Sequence, residues 1–292
     1  MTLRKILCPI DFSECSRRAL RAAVRLASEH AAELELLHVW YLPPTLYAGE
    51  LVPSEALPQL EREAARGLEA ALAEARGLGA QRVGTRLLSG VPWPTIVDAA
   101  GEPSVDLIVA GTHGRTGLAR VILGSVVQRI VRHAPCSVLV VHPEGTLGPF
   151  DHVLCATDFS DSSRQAMQLA GAFAKPGGKG VTLLHVLEVP AGYSDEPHPS
   201  AIYRELDRRS AAVLDKWASE LQAIAKVPVA TSVRVGYPGA ETLRALDHDR
   251  TIDLVVTGSH GRTGLQRLML GSVAEKVAQH ARCPVLVTRR RA

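Results

Sequence analysis

Short apolar runs alternate along this chain with apolar residues spaced as on one face of a helix. Lys5 to Ile10 reads as a buried strand, and Ala19, Ala22, Ala23, Leu26 and Ala27 then form a helical stripe. Glu33 to Val39 predicts a second strand, and Trp40 to Pro58 a Pro-rich loop. An Ala/Leu/Glu/Arg-rich segment over about 60–78 is helical by propensity. A third strand is predicted at Val83–Leu88, a short helix over about 95–100 and a fourth strand at Val105–Ala110. A helix then opens at Gly124-Ser125, with Val126, Val127, Ile130, Val131 and Ala134 at helical spacing, before a fifth strand at Ser137–Val141. Strands alternating with helices predict an α/β protein with a doubly wound parallel sheet.

The plan then restarts. Residues 144–149, Glu-Gly-Thr-Leu-Gly-Pro, read as a short linker between domains at 1–143 and 150–292. Val153 to Ser160 matches the opening of the first half, and Val181–Val186, Val229–Val235, Ile252–Val256 and Val285–Val287 repeat its strands. A Pro-rich loop from Val189 to Pro199 and a helix ending near Ala225 also recur. One residue is missing before Gly236-Tyr237-Pro238 relative to Gly90-Val91-Pro92, and the register recovers by Asp253. A chain of 292 residues has room for two such domains, each with its own core.

Between the fourth strand and the last helix of each half lies the pattern G-x2-G-x9-G-S. It runs through Gly111, Gly114, Gly124 and Ser125, and again through Gly258, Gly261, Gly271 and Ser272, 147 residues later. A helix start presents unpaired N–H groups and a partial positive charge, which suit a phosphate. Glycines let backbone approach such a ligand closely. Tight turns alone would account for the glycines singly, but not for the whole stretch being kept in both halves. There is no Gly-Lys-Ser/Thr of a Walker A loop. Nor is there the G-x-G-x-x-G of a dinucleotide fold, whose glycines belong to the first strand-to-helix turn.

This repeated signature resembles the nucleotide-binding signature of the universal stress protein family in its tandem form. The resemblance implies two five-stranded, Rossmann-like domains (adenine nucleotide alpha-hydrolase-like), each with strand order 3-2-1-4-5. It also implies an ATP-binding regulatory module of the stress response, with Mg2+ accompanying the nucleotide in each half. The phosphates would lie on Gly111, Gly114, Gly124, Ser125 and Val126, and on Gly258, Gly261, Gly271, Ser272 and Val273. Asp11 and Asp158 would stand near ribose and metal, with Pro9 close by, and the backbone of Val39 and Val186 would meet the adenine edge. Ala156 takes the place of Pro9 in the second half, a departure that bears on the second site. Family members pair fifth strands across a two-fold axis, which implies an internal pseudo-dimer of the halves and allows a homodimer.

Several of these residues have plainer roles open to them. Ser13 is a natural helix N-cap. Asp11 could serve only to accept bonds from nearby backbone in its turn. Arg115 and Arg262 could clamp a phosphate bidentately or be surface arginines. His113 and His260 could touch phosphate or face solvent, while His38 and His185 read as packed, hydrogen-bonded residues. No nucleophile–base set recurs in the two halves, so catalysis would be limited to slow hydrolysis or nucleotidyl transfer. A scaffold without ligand is the remaining alternative, and both intact signatures argue against it.

Composition narrows the partners. The net charge of +3 is small and has no cationic stripe, which gives no reason to expect nucleic acid. No apolar run approaches the roughly 20 residues that span a bilayer, so no membrane partner and a cytoplasmic protein are expected. The five cysteines show no C-x-x-C spacing; Cys8 and Cys155 fall in first strands, Cys136 and Cys283 just before last strands, as buried apolar thiols would.

Overall fold

A computed structural model of the chain describes residues 3–41, 56–114, 123–188, 201–260 and 270–289. Its contacts divide the chain into two compact units, Thr2–Pro143 and Glu144–Arg290. In the first, the elements are β1 Lys5–Pro9, α1 Glu14–His30, β2 Glu33–Trp40, α2 Ala56–Gly77 and β3 Val83–Ser89. They continue as α3 Pro92–Ala100, β4 Leu107–Gly111, α4 Ser125–His133 and β5 Ser137–Val141. The five strands are parallel in the order β3-β2-β1-β4-β5.

β1 is central, and Ile6, Leu7 and Cys8 are wholly buried, as a strand covered on both faces requires. The apolar stripe of α1 faces inward through Ala19, Ala22, Ala23, Leu26 and Ala27. Ser13 caps that helix by accepting from the Ser16 N–H. Ala31, in the left-handed conformation (φ 52°), ends it.

Two boundaries differ from the sequence reading. α3 begins at Pro92 rather than about 95, because proline's fixed φ suits the first helical turn, where its missing N–H costs nothing. β4 begins at Leu107 rather than Val105. Asp106 is taken up in holding the chain ahead of β1, accepting from the N–H groups of Arg4 (2.7 Å) and Lys5 (3.3 Å).

The second unit contains β6 His152–Thr157, α5 Asp161–Phe173, β7 Gly180–Glu188, α6 Ala201–Ala225 and β8 Val229–Gly236. It continues with α7 Pro238–His248, β9 Leu254–Gly258, α8 Ser272–His280 and β10 Val285–Thr288. Its strands are parallel in the order β8-β7-β6-β9-β10, the same arrangement as in the first unit. Asp253 repeats the clamp of Asp106, accepting from the N–H groups of Asp151 (2.8 Å) and His152 (3.0 Å), and β9 starts at Leu254. Cys8, Cys15, Cys155 and Cys283 are free thiols, and burial pushes that of Cys8 well up and that of Cys155 up to about 12. Among the described residues no helix is long and apolar enough to cross a membrane.

Candidate functional site

The carboxyl ends of β1, β2 and β4 in the first unit open onto one cleft, where open parallel sheets gather their ligands. At the end of β1, Asp11 Oδ1 accepts from both the N–H (3.0 Å) and the hydroxyl (2.6 Å) of Ser13. The local turn role expected of Asp11 is therefore real, and it fixes the carboxylate at the cleft. The following residue, Phe12, is left-handed (φ 67°), an uncommon state for a bulky side chain. Its ring lies 4.3 Å from that of His38, and His38 Nδ1 donates to the Ile10 carbonyl at 2.6 Å. His38 is buried and packed, as its place near a strand end suggested.

Gly111 ends β4 against the first turn of α1. A Cβ there would stand 2.5 Å from the carbonyl oxygen of Cys15, so only glycine lets strand and helix approach so closely. Gly114 lies against the aspartate, where a Cβ would be 2.6 Å from Asp11 Oδ2. The Gly124 N–H donates to the Thr112 carbonyl at 2.8 Å and clasps the two ends of the intervening loop. α4 then starts with Gly124 as N-cap and no side-chain cap, and its first turn holds no acidic residue. The N–H groups that open the helix, from Ser125 onward, are thus left without a side-chain cap or a first-turn carboxylate to accept from them, which suits an anion.

These pieces enclose a cavity of about 250 Å³. Its polar lining comes from Asp11, His113, Gly114 and the Gly124–Val126 helix start, beside Gly111. The rest of its lining includes the apolar Pro9, Ile10, Leu37, Val39, Ile96 and Ile130. His113 Nδ1 lies 2.9 Å from Thr112 Oγ1, while its Nε2 is enclosed and makes no hydrogen bond. A buried polar atom without a partner in a cavity wall marks a place where a ligand or water would bond. A second hollow of about 280 Å³ shares Asp11 and Val39 and is lined by Phe12, Trp40, Tyr41 and Glu63.

The structure thus brings Pro9, Asp11, Val39, Gly111, Gly114, Gly124, Ser125 and Val126 around one cavity. Arg115, Gly261 and Arg262 lie outside the described residues. Leu37, Pro92, Ile96 and Ile130 carry no motif, and only the periodicity that buries them pointed their way.

In the second unit Asp158 follows β6, Val186 lies on β7, and Gly258 ends β9. Gly271 caps α8, again without a side-chain cap, and Ser272 and Val273 open that helix. The Gly271 N–H repeats the clasp, donating to Ser259 at 2.8 Å. His260 Nε2 is likewise enclosed and unbonded, and its Nδ1 lies 2.8 Å from Ser259 Oγ. Burial, reinforced by Arg289, lowers the His260 pKa and favours the neutral ring.

Two sets of five parallel strands in this order, each with glycines after its fourth strand and at the start of its last helix, define a Rossmann-like α/β protein carried twice. The model of the universal stress protein family matches residues 2–142 and again 149–289, and the chain belongs to that family in its tandem form. A universal stress protein of Mycolicibacterium smegmatis is 30% identical over 98% of this chain and 97% of its own. One from Methanocaldococcus jannaschii is 38% identical over 47% of this chain and 81% of its own. The crystal structure of a universal stress protein from Archaeoglobus fulgidus shares the fold at a TM-score of 0.73. That structure covers 99% of this chain and 100% of its own, at 20% identity.

Proposed function

We propose that the chain is a regulatory module that holds an adenine nucleotide, ATP, in each half. The observation that carries this is a first-unit cavity lined both by apolar side chains and by an uncapped helix start beside Asp11. An aromatic base suits the apolar lining and phosphates the helix start. Adenine would meet the backbone of Val39, the ribose would lie by Asp11, and the phosphates would rest on Gly124, Ser125 and Val126. His113 Nε2 would gain the partner it lacks.

Among the described residues no three carboxylate, His or Cys side chains gather as a metal site. A Mg2+ would be carried by the nucleotide's phosphates, with a single protein carboxylate, Asp11 or Asp158, as its neighbour.

Denaturing the purified chain without added nucleotide and quantifying what it releases is the direct test. Adenine nucleotide should be released, and the stripped protein should bind ATP by calorimetry. Ser125 and Ser272 are exposed at first helical positions, where glutamate suits the helix but repels phosphate. The double variant Ser125→Glu/Ser272→Glu should keep its fold and lose about a hundredfold or more in affinity. No released nucleotide and no heat of ATP binding would sink the proposal.

A further inference from the structure

The residues that line the first-unit cavity are kept unevenly at the corresponding positions of the second unit. Around the helix start and the aspartate, the residues of the first unit recur in the second: Gly124, Ser125 and Val126 as Gly271, Ser272 and Val273, and Asp11 as Asp158. Leu37 and Val39 also recur, as Leu184 and Val186, but other apolar lining residues do not. Ile10, Ile96 and Ala110 line the first cavity, and their counterparts are Thr157, Thr242 and Thr257. Pro9 becomes Ala156 and Ile130 becomes Val277, both losses of apolar volume.

The three threonines are buried. Thr242 donates to the Pro238 carbonyl at 2.8 Å, and Thr157 Oγ1 accepts from the Phe159 N–H at 3.0 Å. Each hydroxyl still carries a lone pair or proton that an apolar ring face cannot satisfy. A base set against these residues would gain less from apolar contact than one set against Ile10, Ile96 and Ala110. At the helix start, Glu275 stands in the first turn of α8 where α4 has Gln128, adding a negative charge near the phosphate position.

Resting on the nucleotide reading above, we infer that the two halves are unequal sites. The first is a selective adenine-nucleotide site. The second is a weaker site that holds a nucleoside phosphate by its phosphate end and scarcely distinguishes the base, and Thr157, Thr242 and Thr257 set the difference.

The full-length chain tests this with one cradle closed at a time. Ser272→Glu leaves only the first half open, and Ser125→Glu only the second. Calorimetric titration with ATP and with GTP should show ATP bound about tenfold or more tightly by the Ser272→Glu protein than by the Ser125→Glu protein. The first should prefer ATP over GTP by at least about tenfold, the second by less than about threefold. In the Ser125→Glu background, Thr157→Ile/Thr242→Ile/Thr257→Ala should restore both ATP affinity and preference for ATP. Far-ultraviolet circular dichroism and a urea transition check that each variant is folded. Equal ATP affinity and equal ATP-to-GTP ratio in the two halves would overturn the inference while leaving the nucleotide reading intact. If the triple exchange folds but restores nothing, the assignment to the threonines is overturned. Absence of ATP and GTP binding in the unaltered chain would overturn the nucleotide reading itself, and this inference with it.

Discussion

The turn after β1 and the turn after β6 share the residues Asp-Phe-Ser, yet they hold their aspartates differently. Asp11 Oδ1 is held by the N–H and hydroxyl of Ser13, the residue that also caps α1. Asp158 Oδ1 accepts from the Ser160 N–H at 3.1 Å, but its hydroxyl partner is Ser163, one turn into α5. In both turns the Phe is left-handed (67° and 64°), and its ring lies 4.3 Å from a histidine ring. The backbone and the aromatic–histidine pair are therefore fixed by the fold, while the hydroxyl that steadies the carboxylate is interchangeable. Repetition preserved the position of the acid and not the means of holding it.

The sharpest way to break that comparison is at the glycines that end β4 and β9. A Cβ at Gly111 would meet the Cys15 backbone at 2.5 and 2.7 Å, whereas at Gly258 the nearest atom is the Ser162 hydroxyl at 2.6 Å, followed by atoms at 3.2 Å. A hydroxyl can rotate away and a helix backbone cannot. Gly111→Ala should destabilise the first unit by about 2 kcal/mol or more in urea unfolding, and Gly258→Ala the second by about 1 kcal/mol. Equal losses would mean that the two strand ends pack alike.

A smaller effect separates the two serines. Ser13→Ala and Ser160→Ala should each cost about 1 kcal/mol of stability as lost N-caps. Only Ser13→Ala removes the hydroxyl bond to its aspartate, so it alone should also weaken nucleotide binding in its own half, which titration of the single-cradle chains reads directly.

Acid should sharpen the contrast further. The lowered pKa of His260 means that the folded chain takes up this proton at a lower pH than the unfolded chain does. Stability contributed by the neutral ring is present above the unfolded value of about 6.5 and declines as pH falls through it, until the folded value is passed. A His260→Gln chain should show a flatter fall in urea midpoint between about pH 7.5 and 5.5. An identical pH profile would remove His260 from the account.

The smallest effect is chemical. Cys8 and Cys155 are buried with raised thiol pKa values, and burial likewise pushes Cys283 up to about 12, whereas Cys15 is only half-buried. A thiol reagent at pH 8 should label Cys15 fast, and the others only as the chain unfolds. Its counterpart, Ser162, offers nothing to label.

Much of the architecture was legible because burial imposes period. The apolar runs at Lys5–Ile10 and Ser137–Val141 and the alanine stripe of α1 could face nothing but a core. The signature glycines were legible through their repetition. What stayed hidden depends on groups far apart in the chain. Nothing local shows that Gly111 needs to be small because of Cys15, or that Asp106 belongs to the start of β1 rather than to β4. The apolar lining of the cavity is assembled from Leu37, Ile96 and Ile130, on three elements, and no spacing announces it. The start of α3 at Pro92 rather than about 95 rests on proline's fit to a first helical turn, which the apolar spacing does not show.

The bond between the Gly124 N–H and the Thr112 carbonyl, repeated between Gly271 and Ser259, has a practical consequence for anyone wishing to redesign this chain. It joins the residue after one strand to the N-cap of the next helix through main-chain atoms alone, so exchanging the side chain of Thr112 or Ser259 leaves it in place. Gly124→Pro or Gly271→Pro would remove the donor and untie the helix start from the strand end.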